Sequence, residues 1–315
     1  NGSQLSRKSI INEHNADFDD EWNEAWDVDI DTNDERKSLT SIDTQYVVKV
    51  TQLPQKFIRL INDFEKKYKE LCNGSLSEQY YHHKLNLLQT SYMAMSTCHF
   101  KDDWWQLFND LYYIVETNKS FTRLHELGIN FLDFNLKTRQ MICDRLISDQ
   151  LNEFMKHEVD PSWDVTITDF LPLIHKDIIG SFSLISHKIA QEYIMKFLRF
   201  LYNDCILERI LNWKIISEKN SENLSELIGL VCAKTEVPIL CPNQSYQELR
   251  EKFAITGKFL PLHLKDIMEM FYHGDFYLFD TDEIIQWIVL LFAETPLRKD
   301  AIDDIREIRN VQIED

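Results

Sequence analysis

Asp27, Asp29 and Asp31 alternate in the manner of the first three oxygen ligands of a calcium loop. Such a loop needs glycine at its sixth position and a bidentate glutamate at its twelfth. Thr32 and Ser38 stand there instead, so calcium chemistry is excluded. His82 and His83 are adjacent and could bind a metal, but a pair of surface histidines on a helix is far more common, and they are read as that. Gly257-Lys258 lacks the preceding glycines and the following Ser or Thr of a phosphate loop. The chain has no His-Glu-x-x-His helix and no nucleophile elbow. Its six cysteines, Cys72, Cys98, Cys143, Cys205, Cys232 and Cys241, are scattered, and the nearest pair, Cys232 and Cys241, is too far apart for a zinc knuckle. They read as buried free thiols of a reducing compartment rather than as disulfide partners. The expectation is a non-catalytic protein with no cofactor and no metal.

Recognition is the chemistry that remains. Glu13–Glu35 holds eleven carboxylates, no Lys or Arg, and two tryptophans four residues apart. A segment so charged and so poor in apolar residues does not fold alone. Packing therefore gives no use for its indoles, and Trp is among the commonest binding hot spots. If the segment became helical on contact, Trp22 and Trp26 would share a face, surrounded by Asp19, Asp20, Glu21, Glu24, Asp27 and Asp29. A basic groove with two apolar pockets on another protein would receive it. The competing reading is a solvated linker whose Trp pair packs on its own domain.

Charge and composition bound the partners. The net charge of -18 is split evenly: the first 35 residues carry 11 acids against Arg7 and Lys8, and the other 280 carry the same net excess. A chain this acidic repels phosphate backbones and anionic lipid, which argues against nucleic acid. No apolar run approaches the 18 residues or so of a membrane span, and no signal peptide is present. The opening residues, Asn1–Ile11, carry no start signal, which predicts a fragment lacking its N-terminal part. Seven Gly and seven Pro in 315 residues leave few sharp turns and favour long helices.

The elements behind these candidates follow from apolar spacing. Phe57, Leu60, Ile61, Phe64, Tyr68 and Leu71 stripe one helix, with Pro54 in its first turn and Asn73-Gly74 at its end. Leu85, Leu88, Tyr92 and Met95 mark a second, and Asp102-Asp103 opens a third with Trp104, Leu107, Phe108, Leu111 and Val115. One or two helices fill Leu124–Val159. Asp160-Pro161-Ser162-Trp163 breaks the pattern. Ile174–Trp213 is helical again, Ser221 is placed to cap the next helix, and Pro238 and Pro242 frame a loop. Pro261 precedes a helix with Leu264, Ile267, Met268 and Phe271; His273-Gly274-Asp275 turns; Thr281 starts an apolar helix and Pro296 the last one. Tyr46–Val50 and Val165–Ile167 could be strands, but neither has a hairpin partner. Trp104-Trp105 belongs to the core by spacing. The aromatics from Phe276 to Phe279 lie beside a turn and cannot all face inward, so some should lie at an interface.

Two of these features resemble one family. The run Leu264–Asp275, then Phe279, the helix Glu283–Phe292 and Thr295-Pro296-Leu297-Arg298 resemble the C-terminal helical domain of the Zeste-White-ten/Dsl-one tethering proteins. The acidic Trp22/Trp26 segment resembles the tryptophan-bearing lasso of the yeast branch. The resemblance implies an all-α chain, an elongated stack of helical bundles as in exocyst, Golgi and endoplasmic reticulum tethers, preceded by a disordered acidic segment. The expected division is 1–38 for the segment, 39–160 for one bundle and 161–315 for the C-terminal bundle. It implies a peripheral subunit on the cytoplasmic face of the endoplasmic reticulum that captures COPI vesicles in Golgi-to-ER transport. Coatomer would bind Trp22, Trp26 and their acidic neighbours. A Sec-thirty-nine-type helical subunit, linked to SNAREs, would bind the C-terminal bundle, with Phe271, Phe276, Tyr277, Phe279 and Trp287 as the expected contacts. The resemblance also implies a Tip-twenty-type subunit that binds an N-terminal region, and the expectation is that this region, and with it that partner, is missing from the fragment. A scaffold of another trafficking complex is the alternative. A metal-dependent helical enzyme is disfavoured, because its carboxylates would have to lie on facing helices, and a HEAT-type solenoid is disfavoured by the absence of a repeat.

Overall fold

The computed structural model describes residues 48–71, 78–100, 103–156 and 173–314. The acidic segment 1–38, the Asn73-Gly74 helix end, the expected boundary at Asp160–Trp163 and the run Val165–Ile167 lie outside them. The described residues form helices joined by turns, with no strand; Val48, within the Tyr46–Val50 run, makes an isolated bridge. The all-α expectation holds.

Helices α1 (Leu53–Leu71), α2 (Glu78–Phe100) and α3 (Trp104–Thr117) follow the predicted stripes, and Leu124–Val159 resolves into one long helix, α4 (Thr122–Lys156). Phe57 and Ile61 of α1, Tyr92 and Phe100 of α2 and Phe121 and Leu124 at the start of α4 bury one cluster against Leu107, Leu111 and Ile114 of α3. Trp104 and Phe108 of α3 point into a second and larger cluster, so α3 is shared by both. Trp105 is only partly buried against it.

The larger core continues through a π-helical segment, Leu173–Gly180, into a long rod that begins as α5 (His187–Arg199), passes through a π stretch, Phe200–Leu207, and ends as Glu208–Leu211. Before the π stretch Tyr193 stacks on Phe182, centroids 5.7 Å apart, and its hydroxyl donates to Asp133 at 2.8 Å. After it begins, Tyr202 stacks on Phe253 at 4.1 Å and pairs with the Thr235 hydroxyl.

Helix α6 (Glu218–Lys234) is capped by Ser217, whose Oγ accepts from the Asn220 N–H at 3.3 Å. Ser221, expected as the cap, lies inside the helix and donates to the Glu218 carbonyl. A 3-10 turn, Pro238–Leu240, then leads to α7 (Gln244–Phe259), a helix the proline-framed loop reading leaves unassigned. α6 and α7 approach closely because Gly257 has no side chain: a Cβ there would meet Ile228 Cγ2 at 2.7 Å. Helices α8 (Leu264–His273), α9 (Thr281–Leu291) and α10 (Pro296–Glu314) complete the chain as expected.

The five described cysteines are free thiols. Cys143 and Cys205 are buried, but Cys98 and Cys241 are exposed, which corrects the uniformly buried expectation. Cys98 shows why: it sits on the solvent side of α2, whose core stripe is carried by its neighbours.

Asp110 of α3 is fully buried. It accepts from the Thr51 N–H at 2.9 Å, the Thr51 hydroxyl at 2.5 Å and the Gln106 amide at 3.1 Å. Those donors favour the anion, but burial outweighs them and pushes the carboxyl from 3.8 up to about 6. The buried Tyr92 phenol is near enough to feel its charge and is raised as well, chiefly by burial. The raised value means that between pH 4 and 6 the folded state binds more protons than the unfolded one. The stability this group contributes is therefore greatest below pH 4 and is lost as pH rises through 6. Asp110→Asn removes that titration. The stability of wild type minus that of the variant, from urea titrations, should fall by about 3 kcal/mol between pH 4 and 7; a flat difference would place Asp110 at an ordinary carboxylate pKa.

Candidate docking surface at the C-terminal aromatic turn

The turn between α8 and α9 is built on Gly274. Its φ of 84° is left-handed, and its N–H reaches the Met270 and Phe271 carbonyls. The Asp275 N–H bonds the Met270 carbonyl at 3.0 Å, closing the helix end. A side chain at position 274 would be strained.

Around this pivot the aromatics sort by type. Phe276, Phe279 and Trp287 are each buried to 2 % exposure and surround Phe259, with ring centroids 5.4, 6.0 and 5.6 Å away. Phe271 is buried beside them, with the Arg309 guanidinium 5.8 Å from its ring. Arg309 also donates to the Phe276 carbonyl at 2.7 Å, tying α10 to the turn. Lys252 pairs with Glu283 at 2.6 Å and lies 5.1 Å above the Phe279 ring.

The tyrosines face outward. Tyr277 is 59 % exposed and donates to Glu251 at 2.7 Å; Tyr272 is 56 % exposed and donates to Asp304 at 2.9 Å. The carboxylate acceptors raise both phenol pKa values, so each hydroxyl stays a donor. Each ring is thereby held in place by its polar tip while its apolar body meets solvent, the property that makes Tyr effective at interfaces. His273 and Asp275 are exposed between them.

Of the five residues expected to contact a partner, the structure thus brings Phe271, Phe276, Phe279 and Trp287 together in the interior and leaves Tyr277 on the surface. Tyr272 was not among them. The signal that identifies it is chemical: in the run Phe271 to Phe279 every Phe is inside and both Tyr are outside. Trp22, Trp26, Asp19, Asp20, Glu21, Glu24, Asp27 and Asp29 lie outside the described residues.

Among the described residues, no group of three or more His, Cys, Asp and Glu is placed to hold a metal ion. Burial pushes the Cys143 and Cys205 thiols up to about 12, which keeps them protonated and poorly nucleophilic. His82 and His83 are exposed on α2. No helix among the described residues is long and apolar enough to cross a membrane.

Residues 121–314, which include this surface, match the family described as the C-terminal part of the retrograde transport protein Dsl1. The chain is 46% identical over 304 residues to the protein transport protein DSL1 of Saccharomyces cerevisiae. The match covers 93% of this chain and 40% of that relative, so the chain spans about two fifths of the relative's length.

Proposed function

Since the chain belongs to the family of the retrograde transport protein Dsl1, we propose that it is the C-terminal part of a non-catalytic subunit of a vesicle-tethering complex on the endoplasmic reticulum. It captures COPI-coated vesicles returning from the Golgi. The acidic segment with Trp22 and Trp26 is the coatomer receptor, and the C-terminal bundle docks a Sec-thirty-nine-type helical subunit that links it to SNAREs. The relative's name supports transport rather than a reaction. Charge supports the division of labour: dense carboxylates speed encounter with a basic groove, and indoles supply affinity that salt does not screen.

The observation that carries the docking half is the pair of exposed tyrosines, each fixed by a carboxylate on a neighbouring helix, on either side of Gly274. Buried Phe271, Phe276, Phe279 and Trp287 contribute by holding that turn rigid. Tyr272→Ala with Tyr277→Ala should weaken binding of the purified helical subunit by about tenfold or more. The thermal midpoint should barely change, since exposed substitutions cost about 0.5 kcal/mol or less. Undiminished binding in a calorimetric titration would remove this turn from the interface.

A further inference from the structure

We propose that Asp110 is the anchor through which pull on the Trp22/Trp26 segment is taken up by the bundle, an inference that rests on the tether reading above. A captured vesicle loads the chain from the segment toward α1. The first described residues it reaches are Val48 to Thr51, fourteen residues beyond Glu35 at Lys49. Without a lateral attachment there, load would fall on the first turn of α1, and helix ends open at little cost.

The structure supplies the attachment. The Thr51 N–H and hydroxyl both donate to the Asp110 carboxylate, at 2.9 and 2.5 Å. The Gln106 amide donates to Asp110 at 3.1 Å and to the Lys49 carbonyl at 3.0 Å. Thr51 Oγ1 also accepts from the Leu53 N–H at 3.2 Å, so the gripped residue caps α1 too. The bonds to Asp110 and from Gln106 all lie on α3, the helix that both apolar clusters share. Pull is therefore passed to the best-buried part of the neighbourhood rather than to α1.

Folding stability gives little reason for a carboxylate at this place, because an apolar side chain of similar volume usually serves a buried position as well or better. What the carboxylate adds is direction. It is a fully buried acceptor with two oxygens, aimed at one backbone N–H and one hydroxyl of the incoming chain, and charge-assisted bonds are strong in such surroundings.

Lys49 allows a direct test. Its side chain is exposed, but its carbonyl is held by Gln106, so trypsin can cleave the Lys49–Val50 bond only after the clamp opens. Limited digestion of the full chain should show cleavage after Lys49 accelerated by about tenfold or more in both Thr51→Val and Gln106→Met, with cleavage in α6–α10 unchanged. An unchanged rate at Lys49 would overturn the anchor, and so would a rise shared by every site, which reports general destabilisation. In an optical trap with handles at Ser38 and the C-terminus, the first unfolding event should move to lower force in both variants; equal forces would also overturn it. Binding of an Asp17–Glu35 peptide to coatomer involves none of these residues. Its failure would therefore strike the tether reading and leave the digestion result standing.

Discussion

Alanine at both Trp22 and Trp26 is expected to abolish binding of the chain to purified coatomer while leaving its thermal unfolding unchanged. Two hot-spot residues lost at about 2 kcal/mol or more each weaken a complex by about a thousandfold. The surrounding acids, Asp19, Asp20, Glu21, Glu24, Asp27 and Asp29, set the salt dependence. Binding of the wild-type Asp17–Glu35 peptide should weaken between low and moderate salt, mainly through slower association. An anisotropy titration in which the double-alanine peptide binds as tightly as wild type would show that the carboxylates alone are recognised. Failure of both peptides at low salt would remove coatomer as the ligand of this segment.

Alanine at Trp287 is expected to cost about 3–5 kcal/mol of folding free energy, the range for deleting a fully buried aromatic. The side chain is 2 % exposed and packs edge-on to Phe259. Its loss would leave Phe259, the ring that Phe276 and Phe279 pack around, facing a cavity. Any loss of partner binding in this variant should therefore track unfolding and vanish under stabilising conditions. The Tyr272/Tyr277 variant should lose binding without unfolding. Denaturant titration beside a binding assay separates the two; a Trp287→Ala protein with unchanged stability and lost binding would put this indole in the interface.

Periodicity made most helices legible, because a stripe such as Phe57, Ile61 and Phe64 has no other economical explanation. It was blind where a helix carries weak formers. In α7, Tyr246, Leu249 and Phe253 keep helical spacing, but Thr256, Gly257 and the preceding prolines argue locally against it. The close approach to Ile228 that makes Gly257 useful is tertiary information. The cap of α6 failed for a similar reason: Ser217 and Ser221 are one turn apart, and propensity does not choose between them. At the aromatic turn, composition said correctly that not every ring could be inside. Which ones were outside followed from the hydroxyls, a distinction that treating Phe and Tyr alike had concealed.

The π stretch at Phe200–Leu207 sets the angular phase of the rod that contains it. An α-helix turns by about 100° per residue, with 3.6 residues to the turn, whereas the wider i to i+5 bonding takes more residues to complete a turn. The two ends of the rod are thereby offset: Tyr193, before the stretch, serves Phe182 and Asp133, and Leu211, after it, presents its carbonyl to the Gln286 amide. Removing one residue inside this stretch would restore regular winding and rotate one set of partners away from its neighbours. The same deletion in an exposed turn would cost far less, so the middle of this rod is a place where chain length itself is under constraint.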